Sequence, residues 1–88
     1  MKTLDLSKIA ELFGDKKYLL RYTLEVTCCG DAYIYKMKCE NMDLVVNQVG
    51  SFFSIFVEYG MIKDSTTFED GENINTEVCK IIKQVLSL

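Results

Sequence analysis

The chain contains no histidine, no proline and no tryptophan, and only five glycines. Without histidine there is no Ser-His or Cys-His pair for nucleophilic catalysis. The glycines, at 14, 30, 50, 60 and 71, fall into no phosphate-binding loop or dinucleotide fingerprint. Gly50-Ser51 lacks the G-x-S-x-G frame of a nucleophile elbow. No apolar run reaches the ~20 residues that a membrane-crossing helix needs. Met1-Lys2-Thr3 opens on no secretory apolar segment, and Val85-Leu86-Ser87-Leu88 is no lipidation signal. These absences point to a soluble cytoplasmic protein with no catalytic residue and no cofactor.

Eighty-eight residues, 49% of them hydrophobic, suffice for a single domain (residues 1–88) with one modest core. The four cysteines, Cys28, Cys29, Cys39 and Cys79, form no C-x-x-C pair. Together with the missing histidine, that leaves no zinc-type metal site. Buried-type thiols in a reducing compartment are expected to stay free.

Leu20–Asn41 reads as a β-hairpin turning at Gly30-Asp31. With that turn, opposed residue numbers add to 61. Tyr22 then faces Cys39, Leu24 faces Met37, Val26 faces Tyr35, and Cys28 faces Tyr33. Arg21, Thr23, Glu25 and Thr27 occupy the other face, against Glu40, Lys38, Lys36 and Ile34. The apolar face belongs to the core, so Leu24→Asp is expected to destabilise strongly and Thr23→Asp weakly. Cys28 and Cys39 then stand about 20 Å apart, beyond any disulfide.

Three helices are expected around this hairpin. The first runs from its cap Asp5 to Phe13, stopped by Gly14. The second spans Met42 to Tyr59, capped by Asn41 and stopped by Gly60. Its polar residues form one narrow stripe, Asn47, Ser51, Ser54 and Glu58. The third runs from Thr76 to Leu88, capped by Asn75, with Val78, Ile81, Ile82, Val85 and Leu86 at helical spacing. Residues 61–73 read as irregular, with room for a short edge strand at 65–68. The fold class is α+β in two layers, an antiparallel hairpin covered on one face by three helices, in the order α-β-β-α-(β)-α.

Charge is unevenly spread. Residues 1–57 hold seven bases and seven acids, whereas residues 58–77 hold one base and six acids, within an overall charge of −3. The run Asp64, Glu69, Asp70, Glu72 and Glu77 is therefore the candidate partner-binding surface, aimed at a basic protein. Setting Gly71 at the sixth position of a calcium loop places Glu77 at the twelfth. Thr66 and Phe68 would then occupy positions that require carboxylates, so the match is a coincidence. Lys16, Lys17, Arg21, Lys36 and Lys38 gather near the hairpin with Tyr18, the rival signal for nucleic acid. The acidic balance, pI near 4.8, argues against direct nucleic-acid binding.

In element order, a helix, a short antiparallel sheet, then helices in an acidic chain under a hundred residues, the protein resembles small phage-borne anti-CRISPR proteins. The resemblance carries no motif and transfers no residue. It implies a non-catalytic inhibitor of phage or mobile-element origin, acting on a CRISPR nuclease or another host defence or nucleic-acid-processing protein. The alternative is a homodimeric regulatory or nucleic-acid-binding module that uses the apolar second helix as its interface.

Overall fold

The structure, a computed structural model, describes residues 3–26 and 32–87. A short helix α1 (Leu6–Glu11) leads through a 3-10 segment (Gly14–Leu19) into five consecutive strands. These are β1 (Arg21–Val26), β2 (Ala32–Cys39), β3 (Met42–Val49), β4 (Phe52–Tyr59) and β5 (Ile62–Phe68). A 3-10 turn (Gly71–Asn73) then opens helix α2 (Ile74–Leu86). The strands form one antiparallel sheet in chain order.

This architecture overturns the expected hairpin under three helices. The segment 42–59 is not a helix but the two central strands β3 and β4, with Asn41 and Gly60 in turns rather than at helix ends. A near-continuous apolar run has no period that separates a buried helix from buried strands. Its Val45, Val46, Val49, Ile55 and Val57, with Phe52, Phe53 and Phe56, are the residues a pleated surface accommodates best. Two stripe members, Asn47 and Ser54, oppose one another across β3 and β4, and Glu58 opposes Asp43.

Tight two-residue turns join β2 to β3, β3 to β4 and β4 to β5. Their first central residues, Glu40, Gly50 and Gly60, have φ of 52°, 58° and 60°. A II′-type hairpin needs a positive φ there, and glycine meets the requirement at two of the three turns. Glu40 carries the conformation with a side chain, and its carboxylate lies 3.5 Å from the Lys16 ammonium.

The β1–β2 register also differs from the expectation. Arg21 opposes Lys38, Tyr22 opposes Met37, Leu24 opposes Tyr35 and Val26 opposes Tyr33. The pairing is displaced by two residues, so every described side chain keeps its expected face but changes its partner. Glu25 opposes Ile34 and reaches Lys36 diagonally, at 3.3 Å. The proposed turn at Gly30-Asp31, with Thr27, Cys28 and Cys29, lies outside the described residues.

The core lies between one sheet face and the helices. From the sheet come Tyr35, Met37, Met42, Leu44, Val46, Phe53, Ile55 and Val57; from the helical layer come Ile9, Phe13, Ile74, Val78, Ile82 and Val85. The first helix starts as expected, with the Asp5 carboxylate accepting from the Lys8 N–H at 3.3 Å. A hydrogen bond from the Ser7 hydroxyl, with that contact second to it, holds the Asp5 carboxyl below its ordinary range.

Asn75 does not cap α2, because Asn73 occupies that position. Instead it ties the segment before α1 to the start of α2. Its Oδ1 accepts from the Asp5 N–H at 2.6 Å, and its Nδ2 donates to the Thr3 carbonyl at 3.1 Å. The one fully buried polar side chain among the described core residues, Gln48, accepts from the Tyr35 hydroxyl at 3.4 Å.

Candidate interaction surface

The helices cover only the inner face of the sheet. The outer face is open, and its side chains form rows across the strands. One row runs Arg21, Lys38, Asp43, Glu58, Lys63; the next runs Thr23, Lys36, Val45, Phe56, Ser65. A third runs Glu25, Ile34, Asn47, Ser54, Thr67, and the last is Ala32, Val49, Phe52. Charge in the first row is internally compensated, with Lys38 and Asp43 at 3.9 Å and Lys63 and Glu58 at 3.9 Å. At the opposite end the last row is apolar, and its Val49 and Phe52 are more than half exposed.

The acidic run is not a single patch. Asp64 lies in β5 opposite Val57, on the helix side of the sheet. Glu69 follows the far end of β5, about 16 Å along the strand from Asp64 at ~3.3 Å per residue. Glu69, Asp70 and Glu72 stay together around the 3-10 turn, and Glu77 sits half-buried in the first turn of α2. Thr66 and Phe68, the would-be calcium positions, are strand residues paired with Ile55 and Phe53.

Asp70 has a structural role. Its carboxylate accepts from the Glu72 N–H at 3.1 Å and from Asn73 Nδ2 at 3.0 Å, capping the turn. Asp70→Ala is expected to cost about 1 kcal/mol, the ordinary value of such a cap, while Glu72→Ala costs almost nothing. Urea unfolding of the two variants checks this, and equal midpoints would remove Asp70 from the cap. Among the described residues, Glu69, Asp70 and Glu72 take part in none of the ion pairs.

Gly71 fixes where this acidic turn sits. A Cβ on it would lie 3.2 Å from both the Cα and the carbonyl oxygen of Ser51, so the turn rests directly on the β3–β4 corner. Ser51 adjoins Phe52, and Phe52 opposes Val49. Glu69 and Glu72 are thereby carried to the end of the sheet that bears the exposed apolar pair. Sequence reasoning missed Val49 and Phe52 because it placed them on a helix. Reading Gly50-Ser51 as a hairpin turn would have put both on the outer face.

The basic cluster is largely neutralised. Lys16 pairs with Glu40, Lys36 with Glu25 and Lys38 with Asp43. Arg21 Nη1 donates to the carbonyls of Tyr18 at 3.0 Å and Leu20 at 3.3 Å. The described cysteines, Cys39 and Cys79, are free. Burial, with the Glu40 carboxylate adding to it, pushes the Cys39 thiol up, away from reactive thiolate character.

No helix among the described residues is long and apolar enough to cross a membrane. Comparison with known proteins finds no matching family model, no matching curated protein and no matching solved structure.

Proposed function

We propose that this is a non-catalytic interaction protein whose contact surface is the sheet end where Val49 and Phe52 adjoin Glu69 and Glu72. The observation that carries the reading is the seat of Gly71 on Ser51, which joins an exposed apolar pair to unpaired carboxylates. An aromatic anchor beside acidic groups suits a basic protein surface that also offers an apolar recess. DNA-handling enzymes present such surfaces where they hold phosphates. The specific form of the proposal is an inhibitor, encoded by a phage or mobile element, of a CRISPR nuclease or another nucleic-acid-processing protein. Asp64 lies away from this end and Glu77 is half-buried in α2, so binding is assigned to Glu69 and Glu72, with Asp70 shaping the turn.

The test titrates wild type, Phe52→Ala and the double variant Glu69→Lys/Glu72→Lys into DNA cleavage by guide-loaded CRISPR nucleases. Wild type should suppress cleavage by at least one of them. The charge reversal should slow association roughly tenfold at low salt, because exposed charges act mainly by steering, and added salt should narrow the gap. Phe52→Ala should instead speed dissociation. Cleavage untouched by wild type throughout the panel would end the inhibitor proposal. Variants as potent as wild type would end the assignment of this surface.

A further inference from the structure

The sheet has two outer edges, and they are built differently. At β5, Asp64 places a carboxylate on the helix side opposite Val57, and Lys63 stands beside it on the outer face. An inward-pointing charge and an edge lysine are the usual means of keeping a strand edge from pairing with another chain. No antiparallel self-pairing of Ile62–Phe68 brings Lys63 opposite Asp64, since the two side chains are on opposite faces.

At β1 this protection is missing. Tyr22, Leu24 and Val26 alternate on the helix side, yet the helices do not reach them, and they remain 54%, 47% and 52% exposed. The charged residues of the strand are Arg21 and Glu25, both on the outer face, one near each end. A second copy of the strand, antiparallel about a two-fold axis at Thr23, places Arg21 opposite Glu25 of the other copy, and Glu25 opposite Arg21. The same register sets Tyr22 against Leu24 twice on the helix side and Thr23 against itself on the axis. Moving the pairing by two residues in either direction loses both ion pairs.

From this complementarity we infer that β1 is a self-pairing edge, joining two copies into a continuous ten-stranded antiparallel sheet. Both partners of the ion pair are available. Arg21 uses only Nη1 for the Tyr18 and Leu20 carbonyls, and a guanidinium has further N–H donors. Glu25 meets Lys36 through Oε1, leaving the second carboxylate oxygen. Arg21 also stands opposite Lys38 of its own sheet, and an approaching carboxylate relieves that like-charge neighbour. The inference is independent of the proposed function, because the acidic turn rests on the β3–β4 corner and contributes no residue to the β1 edge. It replaces an interface on residues 42–59, which are central strands and have no free helix face.

Sedimentation equilibrium on the full chain, from about 1 to 500 µM, is the first test. Wild type should show a concentration-dependent dimer. Arg21→Glu and Glu25→Arg should each weaken it at least tenfold by opposing like charges twice, and the double reversal should recover it. A cysteine readout fixes the register independently. Thr23→Cys faces its own copy at about 4.5–5.5 Å between Cα atoms, within disulfide reach, and should cross-link on mild oxidation. Ser65→Cys, on the other edge, should not exceed the background given by wild type and its native thiols. A wild type that stays monomeric throughout overturns the inference. Cross-linking through Ser65→Cys in place of Thr23→Cys, or single reversals that dimerise like wild type, overturns it too. Circular dichroism of each variant confirms that the fold survives at these exposed positions.

Discussion

Leu44→Asp is expected to leave the chain unfolded at room temperature, whereas Leu24→Asp in dilute solution should lower the melting temperature by only a few degrees. Both leucines are on the helix side of the sheet. Leu44 is fully buried in central strand β3, between Met37 on β2 and Val57 on β4. A carboxylate there loses its water and gains no partner, a penalty of several kcal/mol that rivals the whole stability of a small domain. Leu24 is 47% exposed on the edge strand, so its replacement keeps access to solvent. The result for Leu24 is the reverse of what face assignment alone implies. Thermal melts followed by circular dichroism decide the matter, and a folded Leu44→Asp or an unfolded Leu24→Asp would contradict the placement of the helices.

The neighbouring phenylalanines Phe52 and Phe53 should separate just as clearly. Phe53 is buried, and its ring stacks on Phe68 of β5 with centroids 4.8 Å apart and planes 17° from parallel. Phe53→Ala should therefore cost about 3–5 kcal/mol, combining lost burial with the cavity left behind. Phe52 projects from the opposite face and is 54% exposed. Its truncation should cost less than about 1 kcal/mol, mostly the cross-strand contact with Val49. Urea midpoints of the two alanine variants provide the measurement. Similar losses would mean that residues 52–59 do not alternate between core and open face. The contrast also secures the binding test, since Phe52→Ala can alter association without altering the fold.

Much of the first half of the chain was legible because its signals are local. Asp5 is followed three residues later by the N–H it caps, and no distant contact is needed to recognise that arrangement. The alternation Tyr22, Leu24, Val26 and Tyr33, Tyr35, Met37 assigns faces by parity, which survives a slip of two. The same invariance hid the pairing itself. Opposed numbers adding to 59 or to 61 give identical faces, and only the turn geometry distinguishes them. In the candidate site, the acidic side chains were visible, but their grouping was not. Asp64 and Glu69 are close in sequence, yet an extended strand carries them about 16 Å apart.

By itself, then, the sequence determined which residues share a face in β1 and β2, the cap of α1, the apolar stripe of α2 and the excess of acid after residue 57. Tertiary structure alone decided that residues 42–59 are two strands, because an apolar run takes whichever backbone pairing its neighbours complete. It decided that Leu24 is exposed while Leu44 is buried, since the helical layer covers β3 and leaves the same face of β1 open. It also seated the turn that carries Glu69 and Glu72 on the corner next to Phe52. That meeting depends on the close approach of Gly71 to Ser51, a contact between segments twenty residues apart that no local pattern records.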